Sequence, residues 1–174
     1  MTVAPEVKID RVQFLRGAFR GGATAVRPPW ALAESLFVDA CTRCDDCATA
    51  CPEEIIRPGR GGFPEISFSH GECTFCEDCV QACPTNALGM RDADGRKRAP
   101  WDIRAVVSDA CISKAGIACR ICGEHCDAGA FTFQLVVGGA ALPIVDLDRC
   151  TGCGACVAPC PVSAIEVTPR EPVS

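Results

Sequence analysis

The chain has 174 residues, a formal net charge of −5 at pH 7 and 16 cysteines, whereas tyrosine is absent and only two tryptophans occur. A chain with so few large apolar residues needs cross-links or bound metal to fold stably. No apolar run approaches the length of about 18 residues that spans a bilayer, and no apolar stretch of the signal-peptide type follows the first arginines. The composition argues against a transmembrane protein and a secreted disulfide scaffold, so we expect a cytoplasmic protein whose thiols bind metal.

Residues 1–35 form a basic N-terminal segment that contains no cysteine. Its basic residues are spread along the segment and interspersed with glycines: Lys8, Arg11, Arg16, Arg20 and Arg27. Such a composition is typical of a flexible, solvated arm. The second interpretation is a dedicated docking arm for a partner protein.

The cysteines fall into four groups of four. Groups one, two and four follow the pattern C-x2-C-x2-C-x3-C-P and consist of Cys41, Cys44, Cys47 and Cys51, then Cys73, Cys76, Cys79 and Cys83, then Cys150, Cys153, Cys156 and Cys160. Group three consists of Cys111, Cys119, Cys122 and Cys126 and follows the pattern C-x7-C-x2-C-x3-C. Its first loop is therefore longer, and Asp127 follows its last cysteine where the other groups have proline.

The segments that flank each group repeat as well. A short apolar stretch follows every group, and groups two, three and four are also preceded by one, which predicts a unit of strand, cysteine loop, helical turn and strand. Third cysteines lie 32 residues apart in groups one and two and 34 apart in groups three and four, but 43 apart across the charged middle segment. We predict an α+β fold of two tandem bacterial 2×[4Fe–4S] ferredoxin-like domains, 36–92 and 106–174, joined by a linker, 93–105.

The spacing of the cysteines points to iron–sulfur clusters. Three cysteines at x2 spacing wrap a tight loop around one cluster, and the fourth cysteine reaches the neighbouring cluster. Structural zinc sites instead use pairs of C-x2-C knuckles that a longer segment separates. Zinc and disulfides remain the alternative interpretations of a cysteine-rich chain.

Crossed ligation within each pair of groups divides the 16 cysteines into four complete sets, and we expect four [4Fe–4S] clusters. Set A contains Cys41, Cys44, Cys47 and Cys83, and set B contains Cys51, Cys73, Cys76 and Cys79. Set C contains Cys126, Cys150, Cys153 and Cys156, and set D contains Cys111, Cys119, Cys122 and Cys160. An alternative arrangement pairs group one with group four and group two with group three.

The remaining candidate residues suggest no substrate site. His125 lies between two cysteines and is either a polar loop residue or a ligand or proton relay, His70 lies near group two, and Phe75 shields its cluster from water. The sequence contains no Ser/His/Asp set, phosphate-binding loop or dinucleotide fingerprint, so we expect a protein that is not an enzyme. With four clusters bound, the net charge becomes about −13, which disfavours nucleic-acid binding.

Several stretches outside the cysteine loops, and the long first loop of group three, resemble a known family. The stretches "RPPW" (27–30), "RGGFPEISF" (60–68), "APWDI" (99–103) and "SDACISKAGIACRICGEHC" (108–126), together with the three regular motifs, resemble the NapF family. Its members are ferredoxin-type accessory proteins of bacterial periplasmic nitrate reductase systems. The resemblance covers about residues 9–168. One departure is "DRVQFLRG" (10–17), which has a single arginine where the family often has two.

The resemblance implies a cytoplasmic protein with four [4Fe–4S] clusters that contacts the molybdenum-containing catalytic subunit of nitrate reductase before export. The implied role is maturation of that precursor, by cluster assembly or by reductive activation. A soluble ferredoxin-type electron carrier is the alternative, since it uses the same cysteines. A third interpretation is a structural iron–sulfur or zinc module without a redox role.

Overall fold

A computed structural model of the chain describes residues 25–92, 94–136 and 139–170. Most of the basic N-terminal segment, including Lys8, Arg11, Arg16 and Arg20, lies outside the described residues, so its interpretation as an arm stays a prediction. Within the described ranges, no helix has the length and apolar character needed to cross a membrane.

The helices of the described residues are short. Helix α1 (Glu34–Ala40) has seven residues, and the other three have four residues each and carry the third cysteine of groups one to three: α2 (Asp46–Thr49), α3 (Asp78–Gln81) and α4 (Ile121–Glu124). In group four the corresponding residues form turns only. Helices of one turn are unstable in isolation, so these depend on the cysteine loops and the core around them.

Three antiparallel pairs of short strands accompany the helices. Strand β1 (Ile56–Pro58) pairs with β2 (Pro64–Ile66), β3 (Ile103–Val107) pairs with β6 (Ile165–Pro169), and β4 (Phe131–Gln134) pairs with β5 (Leu142–Val145). Each of these strands is one of the apolar stretches that flank a cysteine group. The mixture of short helices and strands is the α+β character that the sequence predicts.

The two halves repeat one topology, the first half being residues 25–92 and the second half residues 102–170. In the second half, an outer pair (β3 and β6) brings the two ends together, and the inner pair (β4 and β5) connects the two cysteine groups. In the first half, β1 and β2 form the inner pair, and a single bridge between Ala31 and Leu88 takes the place of the outer pair. Two prolines directly before Trp30 remove backbone donors there, which limits strand pairing.

The predicted boundary between the N-terminal segment and the first domain differs from the structure. Pro28, Pro29 and Trp30 are buried, and the Leu32 amide donates a hydrogen bond to the carbonyl of Ala87 at 3.0 Å. The sequence predicts a basic segment ending at residue 35, but these residues supply an edge of the first half. The charges along the segment indicate exposure to solvent, whereas the apolar residues around Trp30 place this part of it in the fold.

The predicted linker, 93–105, also differs from a free connection. Its residues 98–100 bind the segment around Trp30, and its last three residues begin β3. The Arg98 guanidinium donates to the carbonyl oxygens of Trp30, Gly89 and Ala31, at 3.4, 3.2 and 2.7 Å. Buried backbone carbonyls require such partners, so Arg98 of this segment is structural rather than merely solvated.

Each half has a buried core, and the core of the first half also takes in Ile103 of the second half. The core of the first half contains Phe37, Ile55 and Leu88, and that of the second half contains Phe131 and Ile165; cysteines contribute to both. The partly buried side chain of Val157 packs against both cores. The halves are therefore in direct apolar contact.

Candidate metal centres

The structure brings the cysteines together in four cavities. The cavities of the first half are lined by Cys41, Cys44, Cys47 and Cys83 and by Cys51, Cys73, Cys76 and Cys79, which are sets A and B. Those of the second half are lined by Cys111, Cys119, Cys122 and Cys160 and by Cys126, Cys150, Cys153 and Cys156, which are sets D and C. These groupings follow crossed ligation within each half and do not follow the alternative pairing of groups across the halves.

The donor set in each cavity fits an iron–sulfur cluster. Each cavity has four thiols on its wall. Among the described residues, no group of three or more His, Cys, Asp or Glu side chains is arranged to hold a single metal ion. Four thiols around one cavity match the all-cysteine ligand set of a [4Fe–4S] cluster.

The loops of groups one, two and four share one backbone conformation. The residues directly before and after the second cysteine have positive φ in all three loops: Arg43 and Asp45, Phe75 and Glu77, and Gly152 and Gly154. Left-handed residues that alternate with right-handed ones turn successive backbone N–H groups toward one side of the loop. Such a concavity attracts anions, and an iron–sulfur cluster with its thiolates is an anion.

A second recurring feature lies three residues after the last cysteine of every group. Glu54, Asn86, Gly129 and Ser163 occupy this position, and all four have positive φ. The positive φ turns the chain, so that the amide of the following residue points back toward the last cysteine of the group. The amides of Ala130 and Ala164 donate hydrogen bonds to the sulfurs of Cys126 and Cys160 at 3.3 and 3.2 Å. Such bonds to ligand sulfurs help to set the potential of a cluster.

The long first loop of group three forms a compact turn. The amides of Lys114 and Ile117 donate to the carbonyls of Cys111 and Ile112, at 2.9 and 3.0 Å. The side chain of Ser113 is almost fully buried and donates to the carbonyl of Cys119 at 3.1 Å. The inserted residues fold back on themselves, so Cys111 lines the same cavity as Cys119.

The backbone of group three nevertheless differs from that of the other loops. Arg120 follows the second cysteine directly but has a φ of −135°, whereas Asp45, Glu77 and Gly154 have positive φ at that position. The sequence predicts the same site with a longer first loop. The structure shows the same four-thiol cavity built on a different loop conformation.

Burial raises the pKa of several of these thiols. The pKa of Cys79 rises to about 12 because burial penalises the thiolate, with neighbouring thiolates of set B adding to the effect. The pKa of Cys156 rises to about 12 for the same reasons in set C, and those of Cys47 and Cys122 rise to about 11. In the metal-free chain these groups are neutral thiols at pH 7, so binding of metal releases protons.

The residues outside the cysteine sets divide into two classes. His70 and His125 are both exposed, and His125 does not line the cavity of set D or of set C. Phe75 lines the cavity of set B and packs edge-on against Trp101, with ring centroids 5.9 Å apart.

Sequence reasoning missed Ser113 and the interactions of Trp101. A serine in a loop and a tryptophan in a presumed linker carry no spacing signal.

Comparison with protein families supports the iron–sulfur assignment. A 4Fe–4S dicluster domain matches residues 40–87 and a 4Fe–4S binding domain matches residues 143–166. The chain therefore has two 4Fe–4S ferredoxin-type domains, and its 16 cysteines are consistent with four [4Fe–4S] clusters. All of group three falls outside both matched ranges, so its placement rests on the geometry of the cavity.

Comparison with individual proteins identifies relatives along nearly the whole chain. It is 44% identical to the ferredoxin-type protein NapF of Haemophilus influenzae over 167 residues, which is 90% of this chain and 92% of that protein. It is 41% identical to NapF of Escherichia coli, over 91% of this chain and 95% of that protein. It is also 35% identical to the methylamine utilization ferredoxin-type protein MauM of Methylorubrum extorquens, over 91% and 79% of the two chains. The extent and level of these similarities confirm the resemblance seen in the sequence, and the chain belongs to the NapF family of ferredoxin-type proteins.

Proposed function

We propose that the chain binds four [4Fe–4S] clusters, one in each of sets A, B, C and D, in two tandem 2×[4Fe–4S] ferredoxin-like domains. The observation that carries this proposal is that each of four cavities is lined by four thiols from the two groups of one half. A [4Fe–4S] cluster supplies a redox site whose potential depends on hydrogen bonds to its sulfurs and on solvent exposure. The protein's residues supply the thiolates, direct amides at sulfur and exclude water.

Analysis of iron and acid-labile sulfide in anaerobically purified protein tests the number of clusters. About sixteen atoms of each per chain are expected for four cubanes. Zinc in place of iron, or about eight irons per chain, would contradict the proposal. Dithionite reduction followed by EPR distinguishes redox-active clusters from a structural metal module, since the structural module gives no reducible paramagnetic centre.

The proposed role is that of an accessory protein in the maturation of a nitrate reductase. Membership of the NapF family supports it, together with the stretches at 27–30, 60–68 and 99–103 outside the cysteine loops and the long first loop of group three within 108–126. In this proposal the protein is cytoplasmic, is not an enzyme and contacts the catalytic molybdenum subunit of periplasmic nitrate reductase as its precursor. It assists assembly or reductive activation of the cluster of that subunit. A net charge of about −13 in the loaded form disfavours nucleic acid as a partner.

A soluble electron carrier is the second candidate function. The observation that favours it is the exposure of Cys44 of set A and Cys76 of set B, which places one ligand of each set at the surface. Exposed ligands bring a cluster near a docked partner. Carriers use small, transient contacts, whereas an accessory protein holds its precursor more persistently.

Affinity capture with the loaded chain distinguishes the two functions. The bait is incubated with metal-free precursor of the catalytic subunit and, separately, with the mature subunit. An accessory protein retains the precursor at least about tenfold more strongly, which is a difference of about 1.4 kcal/mol. Equal and weak retention of both forms would exclude the accessory role and favour the carrier.

A further inference from the structure

Sets B and C lie next to each other where the two halves meet. The backbone amide of Cys73, in set B, donates a hydrogen bond to the carbonyl of Cys153, in set C, at 2.8 Å. The four cysteines that are buried, Cys73, Cys79, Cys150 and Cys156, all belong to these two sets. The cysteine loops themselves therefore take part in the contact between the halves.

Trp101 joins the two loops through three contacts. Its ring packs edge-on against Phe68, with centroids 6.0 Å apart, and against Phe75 of the group-two loop, with centroids 5.9 Å apart. Its indole N–H donates to the carbonyl of Thr151, in the group-four loop, at 2.9 Å. Edge-on aromatic pairs together with an indole hydrogen bond fix the orientation of a side chain. Trp101 thus holds one loop by its ring and the other by its nitrogen.

Two glycines allow the group-four loop to approach this closely. A Cβ added to Gly154 would lie 2.1 Å from the Phe68 ring, and one added to Gly152 would lie 2.6 Å from the carbonyl oxygen of Ile103. Both positions are buried and have left-handed backbone. Close backbone approach of this kind requires glycine. The two loops therefore form a close-packed interface.

We propose that Trp101 is a positioning residue that holds the Cys73–Cys153 contact, so that the cluster sites of sets B and C form one coupled pair across the two halves. The inference rests on the proposed function, because coupling requires a cluster in each of the two sets. Its consequence is that the protein behaves as a single redox unit. The sequence predicts two domains joined by a linker and makes no prediction about contact between their sites.

The coupling is tested in a chain that retains only sets B and C. Replacing Cys41, Cys44, Cys111 and Cys119 by alanine removes two ligands each from sets A and D, which leaves about eight irons per chain. With dithionite as the reductant, we expect an EPR spectrum broadened by interaction between the two clusters. Adding Trp101→Ala should give two narrow, independent signals at unchanged iron content. Narrow signals before that substitution, or broadening that survives it, would overturn the proposal.

Hydrogen exchange in the otherwise unaltered chain provides the second test and does not depend on the cysteine substitutions. Trp101→Phe retains an aromatic ring but lacks the indole N–H, and we expect the Cys73 amide to exchange at least about tenfold faster while amides of β4 and β5 are unchanged. The matched control is Phe63→Leu, which removes a ring that packs on Arg43 of the group-one loop, with the guanidinium 5.1 Å from the ring centroid. An unchanged Cys73 amide in Trp101→Phe, or an equal change in the control, would contradict the proposal. Iron analysis of the same samples reports separately on the proposed function.

Discussion

At the scale of single residues, Cys111 shows how a ligand can be displaced in sequence and retained in space. It lies eight positions before Cys119, whereas the first cysteine of each other group lies three positions before the second. The turn through Ser113 and Gly116 absorbs the extra length, since Gly116 has a φ of +88° and Ser113 bonds back to Cys119. A left-handed glycine closes such a turn at little steric cost.

Replacing Cys111 by alanine should remove the cluster of set D alone. Iron then falls by about a quarter, from about sixteen to about twelve atoms per chain, because a cubane needs four ligands. Cys119→Ala should cause the same loss, and the double variant should lose no more than either single one. Full iron with an unchanged EPR spectrum in Cys111→Ala would show that this cysteine is not a ligand.

A comparison of Gly154 in the group-four loop with Gly95 separates the cost of backbone strain from the cost of steric overlap. Gly154 and Gly95 have nearly the same backbone, with φ of +83° and +80°, but a Cβ at Gly95 would meet nothing within 4 Å. Alanine at Gly95 should therefore cost about 1 kcal/mol of backbone strain. Alanine at Gly154 should cost about 1–3 kcal/mol more, because it overlaps the Phe68 ring. Thermal unfolding of both variants measures the difference, and equal midpoints would contradict the packed interface.

At the scale of elements, the segment before β3 acts as a clamp on the first half. Arg98 binds three backbone carbonyls of residues 30, 31 and 89, and the indole N–H of Trp30 donates to the Arg98 carbonyl at 3.3 Å. Hydrogen bonds from a charged donor contribute about 1.5–3 kcal/mol each when their acceptors are otherwise unpartnered and buried. The edge formed by residues 28–31 depends on this side chain.

Arg98→Ala should accordingly lower the free energy of unfolding by about 2 kcal/mol or more. The matched control is Arg96→Ala in the same segment, where the guanidinium is 77% exposed and pairs with Asp94 at 3.0 Å. Exposed ion pairs contribute about 0–1 kcal/mol, so the control should change little. The thermal midpoint of both variants is the measurement, and a control that is as unstable as Arg98→Ala would argue against the clamp.

The start of helix α1 carries an ion pair that should make stability depend on pH. Arg27 donates to both carboxylate oxygens of Glu34, at 3.0 and 2.7 Å, and this hydrogen bonding lowers the pKa of Glu34 below its ordinary value. A lowered pKa in the folded state stabilises the fold above the unfolded pKa of about 4.3, and this contribution is lost as pH falls through the folded pKa.

Glu34→Gln should therefore reduce stability at pH 7 and have progressively less effect below about pH 4. The reduction is at most about 1 kcal/mol, because the carboxylate is largely exposed and solvent screens the pair. Thermal midpoints at pH 7, 5, 4 and 3 test this difference. Glu124→Gln removes one charge far from Arg27 and serves as the control; a pH dependence shared by both variants would contradict the assignment to this pair.

At the scale of the whole molecule, the cysteine cavities are part of both cores. Cys73 and Cys79 belong to the core of the first half, and Cys150 and Cys156 to that of the second. Few large apolar residues accompany them, so metal binding and folding should be coupled. We expect iron chelation under mild oxidation to abolish most tertiary structure, as seen by hydrogen exchange or ANS binding. Added iron and sulfide should restore it, whereas a metal-free chain with native protection would contradict this coupling.

Much of this protein was predictable because its information is local in sequence. Cysteines at x2 and x3 spacing indicate both the cofactor class and the loops that hold it, and the flanking apolar stretches indicate β1, β3, β4 and β6. The boundaries at residues 35 and 93–105 could not be predicted in this way. There, charged residues such as Arg98 suggest a solvated connection, but their partners are backbone carbonyls distant in sequence.

By itself the sequence determined the class of site, the count of thiols and the family, because these follow from residue types and from their spacing along the chain. Only the tertiary structure decided which thiols share the cavity of Cys111. It also decided that residues 28–31 complete the first half and that the loops of Cys73 and Cys153 are in contact. Each of these depends on contacts between residues tens of positions apart. No periodicity encodes such contacts; they arise when a turn, a clamp and two close-packed glycines bring separate loops together.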